Sequence, residues 1–261
     1  MRVVWCVNGM EHFGHVLADA LGWPLMVGCP TGTVDVALIV GLYDAPHYHA
    51  TMDCTKAAKK RIIYFCGSDV MMLSMPDILP DATYLCETEA IRQELLAKGV
   101  VVDGVSVFPT ARHLGVTPYP KKKAVAFYKG NCALKYGSAY ISDLQEIFPE
   151  VDFIVYSLGH FSDEDMQQLS NDVSVYLRLP EHDGGACSAR EFLEAGRRVV
   201  CTAPLPFAHQ VSREDPVGII RAVDKALRQP EPDTEAAEFY ARDNSAERWK
   251  ADFSRITGES C

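Results

Sequence analysis

The 261-residue sequence lacks any apolar run long enough to cross a bilayer. Its opening, MRVVWCVNGM, is too short and too polar for a secretory signal and instead predicts a first β-strand. An amphipathic helix of the membrane-binding kind is also missing. We therefore expect a cytoplasmic protein with no integral membrane segment.

Paired cysteines are missing as well. The nine cysteines are odd in number, scattered, and nowhere arranged as CxxC. This distribution argues against both a disulfide framework and a zinc site, and no metal is expected. Because most of them lie in apolar segments, we predict buried, reduced thiols at Cys6, Cys29, Cys54, Cys66, Cys86, Cys132, Cys187, Cys201 and Cys261.

An excess of positive charge is absent too. The chain has 25 Lys and Arg against 35 Asp and Glu, which gives a formal net charge of −10. Such a surface disfavours non-specific binding to nucleic acids or anionic membranes. Two local basic clusters, at 56–61 and 121–123, are each interpreted as a solvated face or a linker rather than a docking patch.

Apolar runs alternate with helical stretches along the chain, which predicts βα units and parallel sheets covered on both faces. Prolines and three consecutive lysines between 117 and 123 indicate a linker, after which the alternation begins again. Before the linker we predict strands over 2–7, 25–27, 34–40, 61–66, 82–86 and 105–108, and helices over 13–21, 50–60 and 87–98. After it we predict strands over 124–128, 152–157 and 173–179, and helices over 138–148, 162–169 and about 215–228.

This alternation predicts a bilobed enzyme. The lobes span 1–118 and 119–230, and a charged helical tail, 231–261, packs back on them. Ligands in such sheets bind at the carboxyl ends of the strands, and pockets favour the cleft between two lobes. Candidate anchors in the tail are Phe239, Tyr240, Trp249 and Phe253.

The most informative stretch is 181–200, EHDGGACSAREFLEAGRRVV. Gly184 and Gly185 predict a sharp turn where the backbone approaches a ligand closely. Ser188 is a candidate cap of the helix that follows, and Gly196 ends that helix. A glycine loop that leads into a helix N-terminus favours phosphate binding.

Two acids in this stretch point to a second ligand chemistry. The carboxylates of Asp183 and Glu191 suit sugar and ribose hydroxyls, because an ionised acid accepts strongly from O–H donors. The alternative is an ordinary surface loop followed by an amphipathic helix.

The spacing of Asp183 and Glu191, with Gly196 and Val199–Val200 after them, resembles the donor-site motif of GT-B glycosyltransferases of the retaining, GT4-like type. That family usually has Glu where Asp183 stands. A second likeness follows the strand at 124–128, where the family has a basic residue and then, six positions later, a lysine before a glycine.

Lys129 and Lys135 match these basic positions, although the family usually has Arg first. The resemblance implies a GT-B fold, α/β, in which two Rossmann-like lobes with parallel sheets face a central cleft. The nucleotide sugar binds the second lobe and the acceptor binds the first, with no metal and no cofactor beyond the nucleotide-diphosphate sugar as co-substrate. Lys129 and Lys135 would hold the diphosphate and stabilise its departure, Asp183 would orient the sugar, and Glu191 would bind the ribose.

In the first lobe, the loop with Gly9 weakly resembles the family's glycine loop. Asp69 is a candidate acceptor-side base, with helix capping as its alternative. His12 and His15 are interpreted as surface or capping histidines, and the loop 43–49 as a possible acceptor surface. Catalytic candidates are thus Lys129, Lys135, Asp183 and Asp69, and donor-binding candidates are Glu191, Gly184, Gly185, Ala186, Cys187, Ser188, His182 and Gly9.

The sequence therefore predicts a glycosyltransferase of hexosyl or pentosyl groups, with a nucleotide-sugar donor and an unidentified acceptor hydroxyl. The acceptor is a glycan or, less favoured by the net charge, a hydroxylated base in viral DNA; a lipid acceptor is disfavoured. A sugar epimerase or a phosphorylase on a similar scaffold is one rival. A catalytically silent nucleotide-sugar-binding or scaffold protein of the same fold is the other. Donor sugar, nucleotide base and oligomeric state stay open.

Overall fold

The structure is a computed structural model that describes residues 1–28, 32–41, 56–67, 69–73, 79, 81–110, 112–130, 132–157 and 162–260. The chain divides into two compact units. The first unit comprises Met1–Ala111 with Asp243–Cys261, and the second unit comprises Arg112–Arg242. These divisions lie after 111 and 242, whereas the sequence placed its boundaries after 118 and 230.

The first unit contains a six-stranded parallel sheet in the order β2-β1-β3-β4-β5-β6. Its strands are β1 (Arg2–Cys6), β2 (Leu25–Val27), β3 (Val34–Val40), β4 (Ala58–Phe65), β5 (Ala82–Cys86) and β6 (Gly104–Val105). Its helices are α1 (Glu11–Leu21), α2 (Asp69–Met72) and α3 (Glu89–Ala97), with α9 (Ala246–Thr257) added from the end of the chain.

Local sequence explains where these helices start and stop. Gly22 takes a left-handed backbone (φ 66°) and ends α1, while the Thr88 hydroxyl accepts from the N–H of Ile91 and caps α3. Gly14 lets α1 approach the sheet, because a Cβ there would lie 2.8 Å from Sγ of Cys6.

The second unit contains a five-stranded parallel sheet in the order β11-β10-β9-β7-β8. Its strands are β7 (Ala124–Tyr128), β8 (Asp152–Tyr156), β9 (Val175–Arg178), β10 (Arg198–Cys201) and β11 (His209–Gln210). A 3-10 helix (Ala133–Tyr136) is joined by α4 (Ala139–Ile147), α5 (Asp163–Asp172), α6 (Cys187–Glu194), α7 (Pro216–Leu227) and α8 (Thr234–Asp243).

This sheet is covered on both faces. Val125 and Phe127 pack into one apolar cluster, whereas Ala126 and Tyr128 pack into another. Successive side chains of a strand point to opposite faces, so the fully apolar run of β7 is the expected sequence of a central parallel strand. Because β7 pairs with β9 in parallel, the carboxyl ends of these two strands are neighbours.

Several predicted boundaries are wrong. Residues 58–60 begin β4 instead of ending a helix; Lys59 pairs with Asp35, and Lys60 pairs with Glu259, at the start of the strand. The strand predicted over 105–108 is only Gly104–Val105, although Phe108 is buried and stacks on Tyr64. Residues 50–55 of the predicted helix lie outside the described residues.

Other predictions are confirmed. Strands over 25–27, 34–40, 82–86 and 124–128 have the predicted bounds. Ser162 caps α5 in a reciprocal capping box with Asp165. Of the tail's candidate anchors, Tyr240, Trp249 and Phe253 are buried, and Phe239 is half-buried.

The thiols agree only partly with their prediction. Cys6, Cys86 and Cys201 are buried and free, Cys66 and Cys187 are half-buried, and Cys132 is exposed. Within the described ranges, no three His, Cys, Asp or Glu side chains assemble into a potential metal site. None of the helices that the structure describes is long and apolar enough to cross a membrane.

Candidate functional site

The sequence motif and the basic loop meet at one edge of the second unit's sheet. Lys129 directly follows β7, and the motif begins shortly after the end of β9, which is hydrogen-bonded to β7. Carboxyl ends of parallel strands are the usual ligand-binding edge of such sheets.

The basic loop has a defined backbone. The N–H of Lys129 donates to the carbonyl of Tyr156 at 2.9 Å. Gly130 is left-handed (φ 56°), and a Cβ there would lie 2.1 Å from the Tyr136 ring, so glycine is required. Both Lys129 and Lys135 are exposed, and no acceptor for either ammonium group is found among the described residues.

Arg178 lies at the centre of the site and was not predicted. Its Nε and Nη2 donate to the two carboxylate oxygens of Asp183 at 2.6 and 2.8 Å, and its Nη1 donates to Oγ of Ser188 at 3.3 Å. The guanidinium also lies over the rings of Tyr128 and Tyr136, at 4.7 and 5.5 Å from their centroids. The signal in the sequence was an arginine that ends an otherwise apolar strand.

The Arg178–Asp183 pair is largely excluded from solvent, with side chains 11% and 9% exposed. Burial opposes the charge on Arg178, but Asp183 outweighs it and holds the pKa of the guanidinium well above its ordinary value. Arg178 is therefore a permanent cation at the centre of the site. A carboxylate has about four lone-pair positions, so Asp183 can accept further hydrogen bonds while it is paired.

Ser188 does not cap α6, which corrects the sequence-based expectation. Its hydroxyl lies 2.6 Å from the hydroxyl of Tyr176, to which the Tyr156 hydroxyl donates at 2.9 Å. Burial raises the pKa of both phenols, so they stay protonated. Ser188 is thus held by Tyr176 and Arg178, and it closes a polar network under the motif.

The N-terminus of α6 is shaped by Ala186 and Arg190. Ala186, rather than Gly184 or Gly185, has a left-handed backbone (φ 47°, ψ 48°), and no side chain caps the helix. The buried Arg190 donates to the carbonyl of Gly185 at 2.7 Å and to Sγ of Cys187 at 3.3 Å. The loop is rigidly held, and the N–H groups of the first helical turn are not capped by a side chain, which suits an anion.

Glu191 lies on the buried side of α6 and is only 2% exposed. Its carboxylate lies 3.7 Å from Nη1 of Arg112, which also donates from Nε to Asp163 at 2.6 Å. Burial raises the pKa of Glu191 to about 7, and the positive charge of Arg112 only partly opposes this. On the same helix, Glu194 pairs with His113 at 2.8 Å.

Replacing Glu191 by glutamine is expected to stabilise the protein at neutral and alkaline pH. The raised pKa means that the folded state holds this proton more tightly than the unfolded chain does. The wild type therefore loses stability as the pH rises from the ordinary value of 4.5 to about 7. The loss is on the order of 3 kcal/mol for a shift of this size. Denaturant unfolding at about pH 5 and about pH 8 measures the difference.

In Glu191→Gln this part of the pH dependence should disappear. Glu150→Gln, which alters an exposed acid of the same unit, should keep the wild-type dependence. Identical pH profiles for the wild type and Glu191→Gln would show that Glu191 has an ordinary pKa.

The remaining motif residues surround these groups. Asp183 and Gly184 are half-buried, as is His182. Glu181 is exposed; its N–H donates to the carbonyl of Lys135 at 3.0 Å, and its carboxylate pairs with Arg213 at 3.1 Å. These contacts link the motif to the basic loop. Arg197, after the end of α6, is buried, and its Nε donates to the carbonyl of Ser170 at 2.7 Å.

The candidate residues of the first unit include two, Gly9 and Asp69, that make hydrogen bonds within that unit. The N–H of Gly9 donates to the carboxylate of Glu11 at 2.7 Å, so a side chain of α1 already uses this donor. Asp69 begins α2 and is fully buried, with its Oδ2 accepting from the N–H of Cys66 at 3.4 Å. His12 and His15 are exposed, and the loop 43–49 lies outside the described residues.

A buried acid of the first unit was missed. Glu87 follows β5, is 2% exposed, and donates its N–H to the carbonyl of Phe65 at the end of β4. Nothing in its sequence neighbourhood distinguishes it from a surface glutamate at the start of a helix.

Comparison with known proteins found no matching family model and no matching curated protein. Solved structures do match. S. aureus TarM is 13% identical with a TM-score of 0.61, over 86% of this chain and 55% of that one. The pneumococcal O-GlcNAc transferase GtfA, in complex with UDP and GlcNAc, is 10% identical with a TM-score of 0.60. That match covers 85% of this chain and 57% of GtfA. This chain therefore spans little more than half the length of these two proteins.

A third match extends over both chains. The lipopolysaccharide outer core galactosyltransferase WaaB in its apo form is 9% identical with a TM-score of 0.65, over 99% of each chain. At such identities the likeness shows the fold alone. The chain has the GT-B glycosyltransferase fold, with one parallel-sheet α/β domain in each of its two units.

Proposed function

We propose that the chain is a glycosyltransferase that takes its sugar from a nucleotide-diphosphate donor bound by the second unit. The observation that carries this proposal is the set of positive groups at one sheet edge: Lys129, Lys135 and the N-terminus of α6, which no side chain caps. Two ammonium groups and a helix N-terminus are the chemistry that recognises a diphosphate. The GT-B fold and the nucleotide-bound relative support the same ligand class.

In the proposed reaction, the bond between the sugar's anomeric carbon and the diphosphate oxygen breaks, and its electron pair leaves with the diphosphate. The acceptor hydroxyl oxygen forms the new bond to that carbon, and its proton passes to an oxygen of the departing diphosphate. Negative charge develops on the departing diphosphate. Lys129 and Lys135 stabilise that charge, so we propose turnover without a divalent metal.

Asp183 and Glu191 bind the sugar and the ribose of the donor. Asp183 is fixed by Arg178, and its remaining lone pairs accept from hydroxyls of the transferred sugar. Glu191 accepts from the ribose, and the uncapped turn of α6, with Cys187 and Ser188, receives the diphosphate. We propose transfer of a hexosyl or pentosyl group with retention.

The deciding experiment is a thermal-shift screen with UDP, GDP, ADP and their sugars, with and without EDTA. A ligand that binds only the folded state raises the melting temperature by mass action. We expect one nucleotide to raise it in EDTA, and the shift to vanish in Glu191→Gln. Because that variant is itself stabilised, its lost response cannot be attributed to unfolding.

The outcomes separate the alternatives. A nucleotide shift followed by donor hydrolysis or transfer to a glycan supports the enzyme. A shift without any turnover would indicate the silent binding protein instead. No shift with any nucleotide, for a folded protein, would contradict the proposal.

A further inference from the structure

Arg213, a residue outside both the motif and the basic loop, binds the backbone of the basic loop. It lies in the connection between β11 and α7. Its Nη1 donates to the carbonyl of Lys135 at 2.9 Å, and its Nη2 donates to the carbonyl of Leu134. A guanidinium presents its donors in a rigid planar fork, so these two carbonyls are held in a fixed position relative to one another.

The carbonyl of Lys135 has a second donor. Lys135 belongs to the 3-10 helix of the basic loop, and carbonyls at the end of a helix need partners outside it. The N–H of Glu181 donates to this carbonyl at 3.0 Å, so both of its lone pairs are used. The connections that follow β7, β9 and β11 are therefore joined at the peptide group of Lys135.

The backbone of Arg213 is itself anchored. Its carbonyl accepts from the hydroxyl of Tyr140 on α4. Two residues later, Asp215 caps α7 by accepting from the N–H of Gly218 at 2.9 Å. The guanidinium thus extends from a backbone segment that other elements fix, and it gives the basic loop a fixed point of attachment.

Arg213 also neutralises a carboxylate next to the basic loop. Oε1 of Glu181 lies 3.1 Å from Nη1 of Arg213, whose side chain is 19% exposed. Without the guanidinium, the Glu181 charge would be unpaired beside the loop that carries Lys135. A negative charge there repels a phosphate and weakens the attraction of the lysine for it.

The ammonium group of Lys135 depends on such an attachment. It is exposed and lies at the end of a flexible four-carbon chain, so its reach is set by the position of its own backbone. A group stabilises developing charge best when it is already in place before the reaction. The backbone contacts of Lys135 supply this order.

We propose that Arg213 is a positioning residue, which holds the backbone at Lys135 so that the ammonium group of Lys135 meets the departing diphosphate. Its effect on turnover rests on the proposed transferase function, whereas its hold on the loop does not. Arg213 touches the backbone of the loop and acts on the diphosphate only through Lys135.

The first test is the kinetics of Arg213→Met and Arg213→Lys with the donor found in the nucleotide screen. Arg213→Met should lower kcat by about tenfold, because a small displacement of a catalytic group costs much of its effect. It should also raise KM, since Glu181 is left unpaired. Arg213→Lys keeps the charge but not the fork, so it should keep KM and lower kcat. Arg228→Met removes an exposed arginine paired with Asp224 and should change neither constant.

The second test is limited proteolysis, which measures the hold on the loop without any donor. Lysyl endopeptidase cleaves after lysine, and the cleavage rate follows how often a segment opens. Cleavage after Lys135, followed by mass spectrometry, should be about tenfold faster in Arg213→Met, the effect of losing charge-assisted hydrogen bonds. Cleavage after Lys121, which is exposed and makes no contact with Arg213 in the described part of the chain, is the internal reference. Arg228→Met should keep the wild-type ratio of the two rates.

The outcomes separate this inference from the proposed function. Normal turnover in the wild type with an unchanged cleavage ratio in Arg213→Met would overturn the inference and leave the proposed function standing. Wild-type kcat in Arg213→Lys would also overturn it, because charge alone would then suffice. This second variant decides the matter if Arg213→Met does not fold. A wild type that responds to no nucleotide would contradict the proposed function, and the cleavage ratio would still decide whether Arg213 holds the loop.

Discussion

Lys135→Ala is expected to lower turnover by about 10²–10³-fold, the usual effect of removing one preorganised group that stabilises transition-state charge. The reason is that the ammonium group would face the departing diphosphate, where negative charge is greater than in the bound donor. The loss should therefore fall mainly on kcat rather than on KM. Initial rates with the donor found in the nucleotide screen measure both constants.

The same substitution should leave the melting temperature unchanged. Lys135 is exposed, and the contacts that order the loop use its carbonyl, which alanine retains. Lys121→Ala, an exposed lysine of the same unit, is the matched control and should keep full turnover. Normal rates in Lys135→Ala would refute its role, and equal loss in both variants would point to a general effect of net charge.

The fold was largely predictable from the sequence. Strands such as β3 and β7 are continuous apolar runs bounded by turn residues, and this pattern alone gives their limits. The start of β4 was not predictable in this way. Lys59 and Lys60 give a charged stretch that local pattern assigns to a helix surface. In the strand their ammonium groups find partners far away in the sequence, at Asp35 for Lys59 and at Glu259 and the carbonyl of Thr257 for Lys60.

The candidate site was predictable where it depends on spacing along one segment. Asp183, Glu191 and Gly196 follow a pattern that can be read without any structure. Arg178 was missed because its role depends on two contacts at once: a carboxylate five residues later, and two tyrosines on another strand and loop. Likewise, Ala186 has the left-handed backbone because Arg190 and the buried helix face fix the loop around it.

The contact between Gly9 and Glu11 shows a different limit of prediction from the sequence. A glycine after the first strand suggests a phosphate loop, yet the N–H of Gly9 is satisfied by a carboxylate two residues later. A phosphate at this position would have to displace Glu11 and overcome its negative charge. For this reason our proposal places the diphosphate on the second unit.

The largest expected effect on stability belongs to Arg178→Met. Methionine has similar length and packs against Tyr128 and Tyr136, but it leaves the carboxylate of Asp183 buried without its cation. Removing one partner of a buried ion pair costs about 3–5 kcal/mol. The melting temperature should therefore fall by on the order of 10 °C. Thermal and denaturant unfolding measure the change.

The double variant Arg178→Met with Asp183→Asn separates charge from packing. Because no buried charge is then left unpaired, it should recover most of the stability that Arg178→Met loses, so the two substitutions are strongly non-additive. It should not recover transfer, since an amide is a weaker acceptor for sugar hydroxyls than a carboxylate. Recovered stability with absent turnover would assign Asp183 to the donor site and Arg178 to holding it there.

A second pair of the same unit provides the control. Arg198 and Asp233 also form an ion pair, but their side chains are 22% and 15% exposed, so water partly solvates a lone partner. Arg198→Met should therefore cost less than Arg178→Met and should leave the nucleotide shift intact. If Arg178→Met were no more destabilising than Arg198→Met, Asp183 would be solvated without its partner. The acid would then reach the donor sugar without Arg178 to fix it.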